Sequence, residues 1–409
     1  MKLEQNVIFS QSLIPLIGMS LALVGVSIGM YLNHFFPIIK WSPIVMLISF
    51  LFSVNWKFYH SFPYFLIPNS LGYISLFVFL LLILILYNDG LATTPFSHMF
   101  FVFAFCFALT THKNNVNYDF FPRVLFLVSL PCLVCGVVVC NLNMVLGVDT
   151  YYERLENELY ALEPFSVAMG ALINMFSMLC MKKTKIESFL FIFLLIGGLY
   201  VLSSCEKRTP LFVFIIGSLY YCYSKGFSFD LLPKKIVFGF TFVFGGGLIS
   251  YLFIPLVSDR IDKFCFEMYA GVLNLFGNTS VRDTTGSAIM RAESREFAYE
   301  FIRTRMEWIN YFIGMGYNKI GQLDNPILQI FVEAGIWGVF GYIGIIVVYP
   351  LTIIKKKFSN MCIILCILLS FYAILSIINS GNPYVFSKYT PVCILTVVVF
   401  YYKNRGEYA

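Results

Sequence analysis

Long apolar runs, separated by short polar connectors, occupy most of the chain. Most of these runs approach the roughly 20 residues that a helix needs to cross a bilayer, and they are continuous rather than alternating, which favours helices over strands. The pattern predicts about twelve transmembrane helices, or eleven, since the second and eighth runs are short. The predicted spans cover residues 13–31, 37–54, 66–87, 95–111, 122–142, 164–181, 188–203, 210–223, 236–257, 327–350, 360–379 and 389–402.

One stretch, from about Val257 to Gly335, interrupts this apolar pattern. It is dense in charged residues and closes on three short motifs, Gly314-Met-Gly316, Asp324-Asn325-Pro326 and Glu333-Ala-Gly335. Polar groups are expensive inside a bilayer, so a membrane protein that gathers them in one loop is expected to work there. We therefore predict that this loop is the lid and part of the active site of a membrane enzyme.

The same pattern divides the chain into three parts. Residues 1–257 are predicted to form an N-terminal transmembrane bundle of about nine helices, and residues 327–409 a C-terminal part of about three. Between them, residues 258–326 form the large polar loop, which is predicted to contain short helices.

Composition supports a membrane class. The 409 residues are 59% hydrophobic and 12% charged, and the mean hydropathy is +0.80, whereas soluble domains are about 25% charged. The predicted fold class is an all-α polytopic membrane protein. The net charge of +6 is modest, and the basic residues cluster beside apolar runs. Such clusters are typical of topology signals rather than of nucleic-acid binding.

The distribution of basic residues predicts the orientation of the chain. With a cytoplasmic N-terminus, fifteen basic residues fall in inner segments and five in short outer segments. Positive charge is enriched on the cytoplasmic side of membrane proteins. Both termini are therefore predicted to be cytoplasmic and the large loop external.

Cysteine and histidine positions do not predict a metal or cofactor. Most of the eleven cysteines lie inside apolar runs, where a cysteine is a small core residue. Cys205 and Cys265 fall in predicted external segments, and the sequence leaves open whether they pair. The four histidines are scattered without ligand spacing, so no metal site and no cofactor is predicted.

Basic residues in two external segments are candidates for phosphate binding. Lys207 and Arg208 lie in a tight turn between two predicted helices, and arginine binds phosphate oxygens bidentately. In the large loop, Arg291 and Arg295 share one face of a helix predicted over 287–303, and Tyr299 continues that face. The alternatives are an arginine that binds ordinary lipid headgroups, and a solvated helix whose arginines pair with nearby glutamates.

Asp324 has two possible roles at the start of the next span. Pro326 suits the first turn of a helix, with Asn325 or Asp324 as the N-cap. Alternatively, a carboxylate at the membrane surface that faces an arginine cluster can serve as a general base.

These features in this order resemble the O-antigen polymerase (Wzy-type) and O-antigen ligase superfamily of membrane glycosyltransferases. The resemblance rests on Arg208 after a span, a long external loop with a central arginine, and the motifs G-x-G, D-N-x-x-L and E-x-G-x-x-G within about 200–340. It implies a GT-C-like fold in the bacterial inner membrane with a periplasmic active site. Ligases of this superfamily usually have a histidine before the asparagine, whereas this chain has Asp324, which favours a polymerase.

The resemblance implies metal-independent glycosyl transfer between glycans linked to undecaprenyl pyrophosphate. Arg208 would bind the donor pyrophosphate, and Arg291 or Arg295 would be the loop arginine. We predict catalytic roles for Asp324, Arg208 and Arg291. Substrate contacts are predicted for Arg295, Lys207, Asn325, Arg282, Tyr299 and Glu333.

The implied partners are the carrier-linked donor and acceptor, the lipid bilayer, and a chain-length regulator and flippase of the same pathway. Two alternatives stay open. One is an O-antigen ligase of the same superfamily, and the other is a flippase for lipid-linked oligosaccharides. A flippase is expected to show repeated halves, short loops and charges within its spans, whereas this chain has one dominant loop.

Overall fold

The structure is a computed structural model of the whole chain. It describes residues 2–36, 38–56, 68–89, 93–112, 116–146, 164–181, 185–205, 208–225, 287–321, 323, 325–356, 358–379 and 382–406, with a few single positions between 262 and 269. The predicted span 236–257 lies outside the described residues, as do the site candidates Lys207, Arg282 and Asp324.

Every secondary-structure element within these described ranges is helical. The N-terminal part contains α1 (Lys2–Phe35), α2 (Trp41–Ser53), α3 (Asn69–Asp89), α4 (Thr93–Thr110), a 3-10 turn (Tyr118–Phe120), α5 (Phe121–Leu146), α6 (Pro164–Cys180), α7 (Lys185–Ser204) and α8 (Arg208–Ser224). The remainder contains α9 (Ser287–Arg305), α10 (Asn310–Ile313), α11 (Pro326–Ile343), a π-helical turn (Gly344–Val348), α12 (Tyr349–Ile354), α13 (Met361–Asn379) and α14 (Phe386–Asn404).

Several of these helices match the predicted spans. Four described stretches are long and apolar enough to cross a membrane, namely Leu13–Phe35, Tyr118–Asn141, Glu187–Ser204 and Pro326–Ile354. Six shorter apolar helices accompany them, and one of these, α2, coincides with the second run, which is short in the sequence. The architecture is that of an α-helical membrane protein, while the count of twelve spans and the GT-C-like arrangement stay predictions.

Helices α13 and α14 form the centre of the bundle. All residues of 362–369 and 389–398 are buried, because α13 packs against α14, α8 and α6, and α14 also packs against α4 and α1. Helix α7 is peripheral, with only 17% of its apolar span buried. Its outward side carries large apolar side chains such as Phe189 and Phe193, which is the surface expected of a helix that faces lipid.

Hydrogen bonds between helix ends show how the main helices are oriented relative to one another. The Tyr402 hydroxyl donates to Asp119 (2.5 Å), so α14 finishes where α5 begins. The Tyr200 hydroxyl donates to Asn141 (3.3 Å), so α5 and α7 finish together at the other end of the bundle. There α8 begins at Arg208 and α14 begins at Phe386. We call this end, where α5, α7 and α13 finish, the loop end.

Reporter fusions test the predicted orientation. We expect fusions at about residues 185, 235 and 356 to report the cytoplasm, and fusions at about 155 and 290 to report the external side, because of the fifteen-to-five division of basic residues. A fusion after residue 405 is expected to report the cytoplasm as well. A cytoplasmic signal at 290 would show that the orientation is wrong.

Candidate functional site

The start of α11 is capped by Asn325. Its side-chain oxygen accepts the backbone N–H groups of Ile327 (3.0 Å) and Leu328 (3.1 Å), and Pro326 occupies the first turn. These bonds satisfy donors that a helix start otherwise leaves unpaired. One of the two predicted cap residues is therefore confirmed, and the observed cap does not require Asp324.

A buried carboxylate on α11 organises the loop end. Glu333 is 2% exposed. One of its carboxylate oxygens accepts the backbone N–H of Asn318 (2.9 Å) and the Gln329 amide (2.5 Å), and the other accepts the Tyr384 hydroxyl. A buried carboxylate is tolerated when several donors satisfy it in this way.

Gln329 extends this network along the same face of α11. Its side-chain oxygen accepts the backbone N–H of Leu323 (2.6 Å), and its amide also donates to the backbone oxygen of Gly321 (3.0 Å). Residues four apart on a helix lie on one face. Gln329 and Glu333 therefore hold the segment that precedes α11, residues 314–325, which we call the 314–325 loop.

Two glycines allow the 314–325 loop to cross α11 at backbone contact distance. Gly314 (φ 78°) and Gly335 (φ 68°, ψ −165°) both have positive φ, and Gly335 interrupts the helical geometry of α11. A Cβ on Gly314 would lie 2.2 Å from the Glu333 carbonyl oxygen, and a Cβ on Gly335 would lie 2.2 Å from that of Phe312. The G-x-G and E-x-G motifs thus belong to two segments that cross each other at these glycines.

Backbone hydrogen bonds close this crossing. The N–H of Met315 donates to the Val332 carbonyl (2.7 Å), and the N–H of Gly316 donates to the Glu333 carbonyl (3.1 Å). The break at Gly335 frees these carbonyls from the usual helical pattern. The loop therefore supplies hydrogen bonds that an uninterrupted α11 would supply itself.

Tyr384, in the connection between α13 and α14, was not predicted as a site residue. It is buried, its hydroxyl donates to Glu333, and its ring meets the ring of Tyr317 edge-on with centroids 5.8 Å apart. Burial and the negative charge of Glu333 raise the pKa of Tyr384 well above its ordinary value. The hydroxyl therefore stays protonated and serves as a donor at physiological pH.

Helix α9 packs onto the 314–325 loop through a small second core. Ala298 of α9 and Met306, which follows α9, contact Ile320 and Leu323 of the loop and Val332 of α11. All five side chains are buried. The predicted helix over 287–303 is confirmed, since α9 runs from Ser287 to Arg305. The helix that carries the loop arginines therefore packs on the segment that leads to Asn325.

The structure places the remaining predicted site residues as follows. Arg295 is partly exposed and Tyr299 is exposed on α9, while Arg291 lies in α9 with a side chain outside the described ones. Arg208 is the first residue of α8 and thus lies at the loop end, and its side chain is likewise outside the described ones. Asn325 and Glu333 have roles within the fold, and the predicted contacts of all these residues with substrate stay predictions.

The described part of the loop end contains a carboxylate, amides and helices with arginines in their sequences, rather than a cluster of metal ligands. Within the described parts of the chain, no group of three or more His, Cys, Asp or Glu side chains could hold a metal ion. No disulfide joins Cys205, which is buried, to Cys265, which is exposed. Arginines at the end of an apolar bundle are chemically suited to binding a phosphorylated lipid.

No family model matches this chain, and no curated protein matches it.

Proposed function

We propose that this chain is a membrane glycosyltransferase, and specifically an O-antigen polymerase that joins oligosaccharide repeat units carried on undecaprenyl pyrophosphate. The observation that carries the proposal is the packing of α9 onto the 314–325 loop. That packing holds the helix of Arg291 and Arg295 against the segment that leads to Asp324. The order of motifs along the sequence supports the same interpretation.

The proposed reaction transfers the growing glycan to a new repeat unit on the periplasmic side of the inner membrane. The terminal sugar hydroxyl of the acceptor attacks the anomeric carbon of the donor. The bond from that carbon to the pyrophosphate oxygen breaks, and undecaprenyl pyrophosphate leaves. Asp324 accepts the proton of the attacking hydroxyl.

The arginines stabilise the leaving group in this proposal. Negative charge develops on the departing pyrophosphate, and guanidinium groups placed in advance at that position lower the energy of the transition state. Arg208 at the start of α8 and Arg291 in α9 are assigned this role. Support for Arg208 comes from its place at the loop end, the end that also holds the Glu333 network.

The lipopolysaccharide banding pattern tests the polymerase activity. A strain without this chain is expected to show caps of a single repeat, because repeat units are then transferred without being joined. Complete absence of O-antigen, with carrier-linked polymer accumulating, would instead indicate a ligase. Absence of O-antigen, with no carrier-linked repeat units on the periplasmic side, would indicate a flippase.

Complementation with variants tests the assigned roles. Asp324→Asn is expected to lower the rate by about 10²–10⁴-fold, the range for loss of a general base, and to collapse the ladder. Because Asn325 provides the observed helix cap, a capping defect does not explain such a loss. Arg208→Ala is expected to abolish polymer, and Arg208→Lys to restore it partly, since an ammonium lacks the planar bidentate geometry.

The matched control for these variants is Glu296→Gln, which changes an exposed carboxylate of α9. It is expected to leave the ladder unchanged, and immunoblots should show equal amounts of every variant. A wild-type ladder from Asp324→Asn would remove the proposed base. A wild-type ladder from Arg208→Ala would remove the proposed phosphate contact.

A further inference from the structure

A short segment beside α11 exposes a dense group of apolar side chains. Trp308 is 75% exposed, and Ile309, Phe312 and Ile313 each expose more than two fifths of their surface. Large apolar side chains gathered in this way on a surface mark a contact with a partner or a membrane. We call residues 308–313, which include α10, the aromatic segment.

The aromatic segment is held in a defined position. The ring of Tyr311 packs edge-on against Phe331 of α11 with centroids 5.9 Å apart, and its hydroxyl donates to the Ile302 carbonyl of α9 (3.3 Å). Phe312 passes Gly335 at backbone contact distance. The apolar side chains therefore project from a packed frame rather than from a loose connector.

The length of the neighbouring span gives the depth of this segment. The apolar stretch Pro326–Ile354 ends beside Lys355 and Lys356. About 20 helical residues, at a rise of about 1.5 Å each, cross the roughly 30 Å hydrocarbon core. Counting back from Ile354, the far boundary of the hydrocarbon falls at about residue 335, which is where the aromatic segment crosses α11.

Exposed residues on either side of this level agree with that depth. On the membrane side of Gly335, Trp337 and Phe340 of α11 are 66% and 62% exposed. On the other side lie the buried polar residues Gln329 and Glu333, whose network would be costly within hydrocarbon. Tryptophan is enriched at the membrane–water boundary, because its ring is apolar and its N–H is polar.

From these observations we infer that the aromatic segment is a lipid-binding anchor. It lies in the headgroup region of the leaflet at the loop end, with Trp308, Phe312 and Ile313 against lipid. Because Gly314 follows directly, this contact sets the height of the 314–325 loop above the hydrocarbon. The inference concerns lipid contact alone and does not depend on the proposed glycosyl transfer.

Tryptophan fluorescence tests this inference, since the chain has only four tryptophans. Trp41, Trp56 and Trp337 are replaced by phenylalanine, which leaves Trp308, and the protein is placed in phosphatidylcholine nanodiscs. Some nanodiscs carry bromine on the acyl chains close to the headgroup, and others carry it close to the chain end. Bromine quenches tryptophan on contact, so we expect the shallow label to quench Trp308 more than the deep label. Iodide in the buffer is expected to quench it weakly.

Two further variants calibrate the measurement. A variant that retains only Trp337 is expected to shift toward quenching by the deeper label, because Trp337 lies on the membrane side of Gly335. A variant with Glu296→Trp as the single tryptophan is expected to respond to iodide and not to bromine, because Glu296 is an exposed charged position of α9. If the triple replacement does not fold, the difference in bromine quenching between the wild-type chain and Trp308→Phe gives the same information.

Two results would overturn the inference. Quenching of Trp308 by iodide but not by bromine would place the aromatic segment in water. Protection from both quenchers would show that protein covers it, either a second copy or another part of this chain. Neither result affects the proposed activity, which the banding assay tests separately.

Discussion

Replacing Gly335 with alanine is expected to disrupt the loop end. Of the single substitutions at this site, it is expected to cause the largest loss of stability. The new Cβ would lie 2.2 Å from the Phe312 carbonyl oxygen and 2.6 Å from the Ile313 nitrogen, and backbone atoms cannot swing aside as a side chain can. The φ and ψ of Gly335 also lie in a region that is nearly restricted to glycine, at a cost of about 1–3 kcal/mol for other residues. The crossing therefore has to open, and the amides of Met315 and Gly316 lose their acceptors.

Hydrogen exchange measured by mass spectrometry on the protein in nanodiscs checks this expectation. We expect faster exchange in peptides that contain Met315 and Gly316, together with a lower thermal midpoint. Under the proposed function, polymer would also be lost.

Two other glycines separate the effects of space and backbone conformation. Gly321 has φ +80° with no atom within 4 Å of the position that a Cβ would take, and Gly344 has open space and ordinary helical φ. Gly321→Ala is expected to lower the thermal midpoint by an intermediate amount, because only the conformational cost applies. Gly344→Ala is expected to leave the thermal midpoint nearly unchanged. Equal behaviour of all three variants would show that the crossing does not depend on Gly335.

Replacing Glu333 with glutamine is expected to release the 314–325 loop while keeping the size of the side chain. The carboxylate accepts donors from Asn318, Gln329 and Tyr384, whereas glutamine has one acceptor oxygen and an amide that donates. At least one buried donor is then left without an acceptor. Such an unpaired group costs about 1–3 kcal/mol, which corresponds to roughly a 5- to 150-fold increase in local opening.

The measurement is the exchange rate of the Asn318 amide, which donates directly to Glu333. Tyr384→Phe removes one of the three donors and is expected to have a smaller effect. The double variant should show less than the sum of the two single effects, because both changes act on one network. Glu296→Gln, on the exposed side of α9, is the matched control. Unchanged exchange at Asn318 in Glu333→Gln would mean that the carboxylate does not hold the loop.

Local features of the sequence predicted the helices and the cap. The apolar runs marked α1, α5, α7 and α11 because a helix that faces lipid must be apolar over most of its length. The spacing of apolar residues around Ala298 predicted α9, and the order Asn325-Pro326 predicted the start of α11. These elements depend on residues close together in sequence, where period and capping preferences are informative.

The Glu333 network could not be predicted in the same way. Tyr384 lies 51 residues from Glu333, and its contact depends on how the connection between α13 and α14 packs against α11. The glycines of the two motifs are visible in the sequence, but the crossing of the segments that contain them is a tertiary contact. A glycine directly after Glu333-Ala334, within a helix that otherwise looks continuous in the sequence, was the one local sign of a break.

The bond between Tyr384 and Glu333 also has a consequence for biosynthesis. The ribosome adds Glu333 to the chain well before Tyr384, and α13 must be made and inserted in between. Until then, the buried carboxylate lacks one of its donors. The Glu333 network therefore stays incomplete until Tyr384 has been added, and a nascent chain that has not yet passed residue 384 carries the candidate site in an incomplete state.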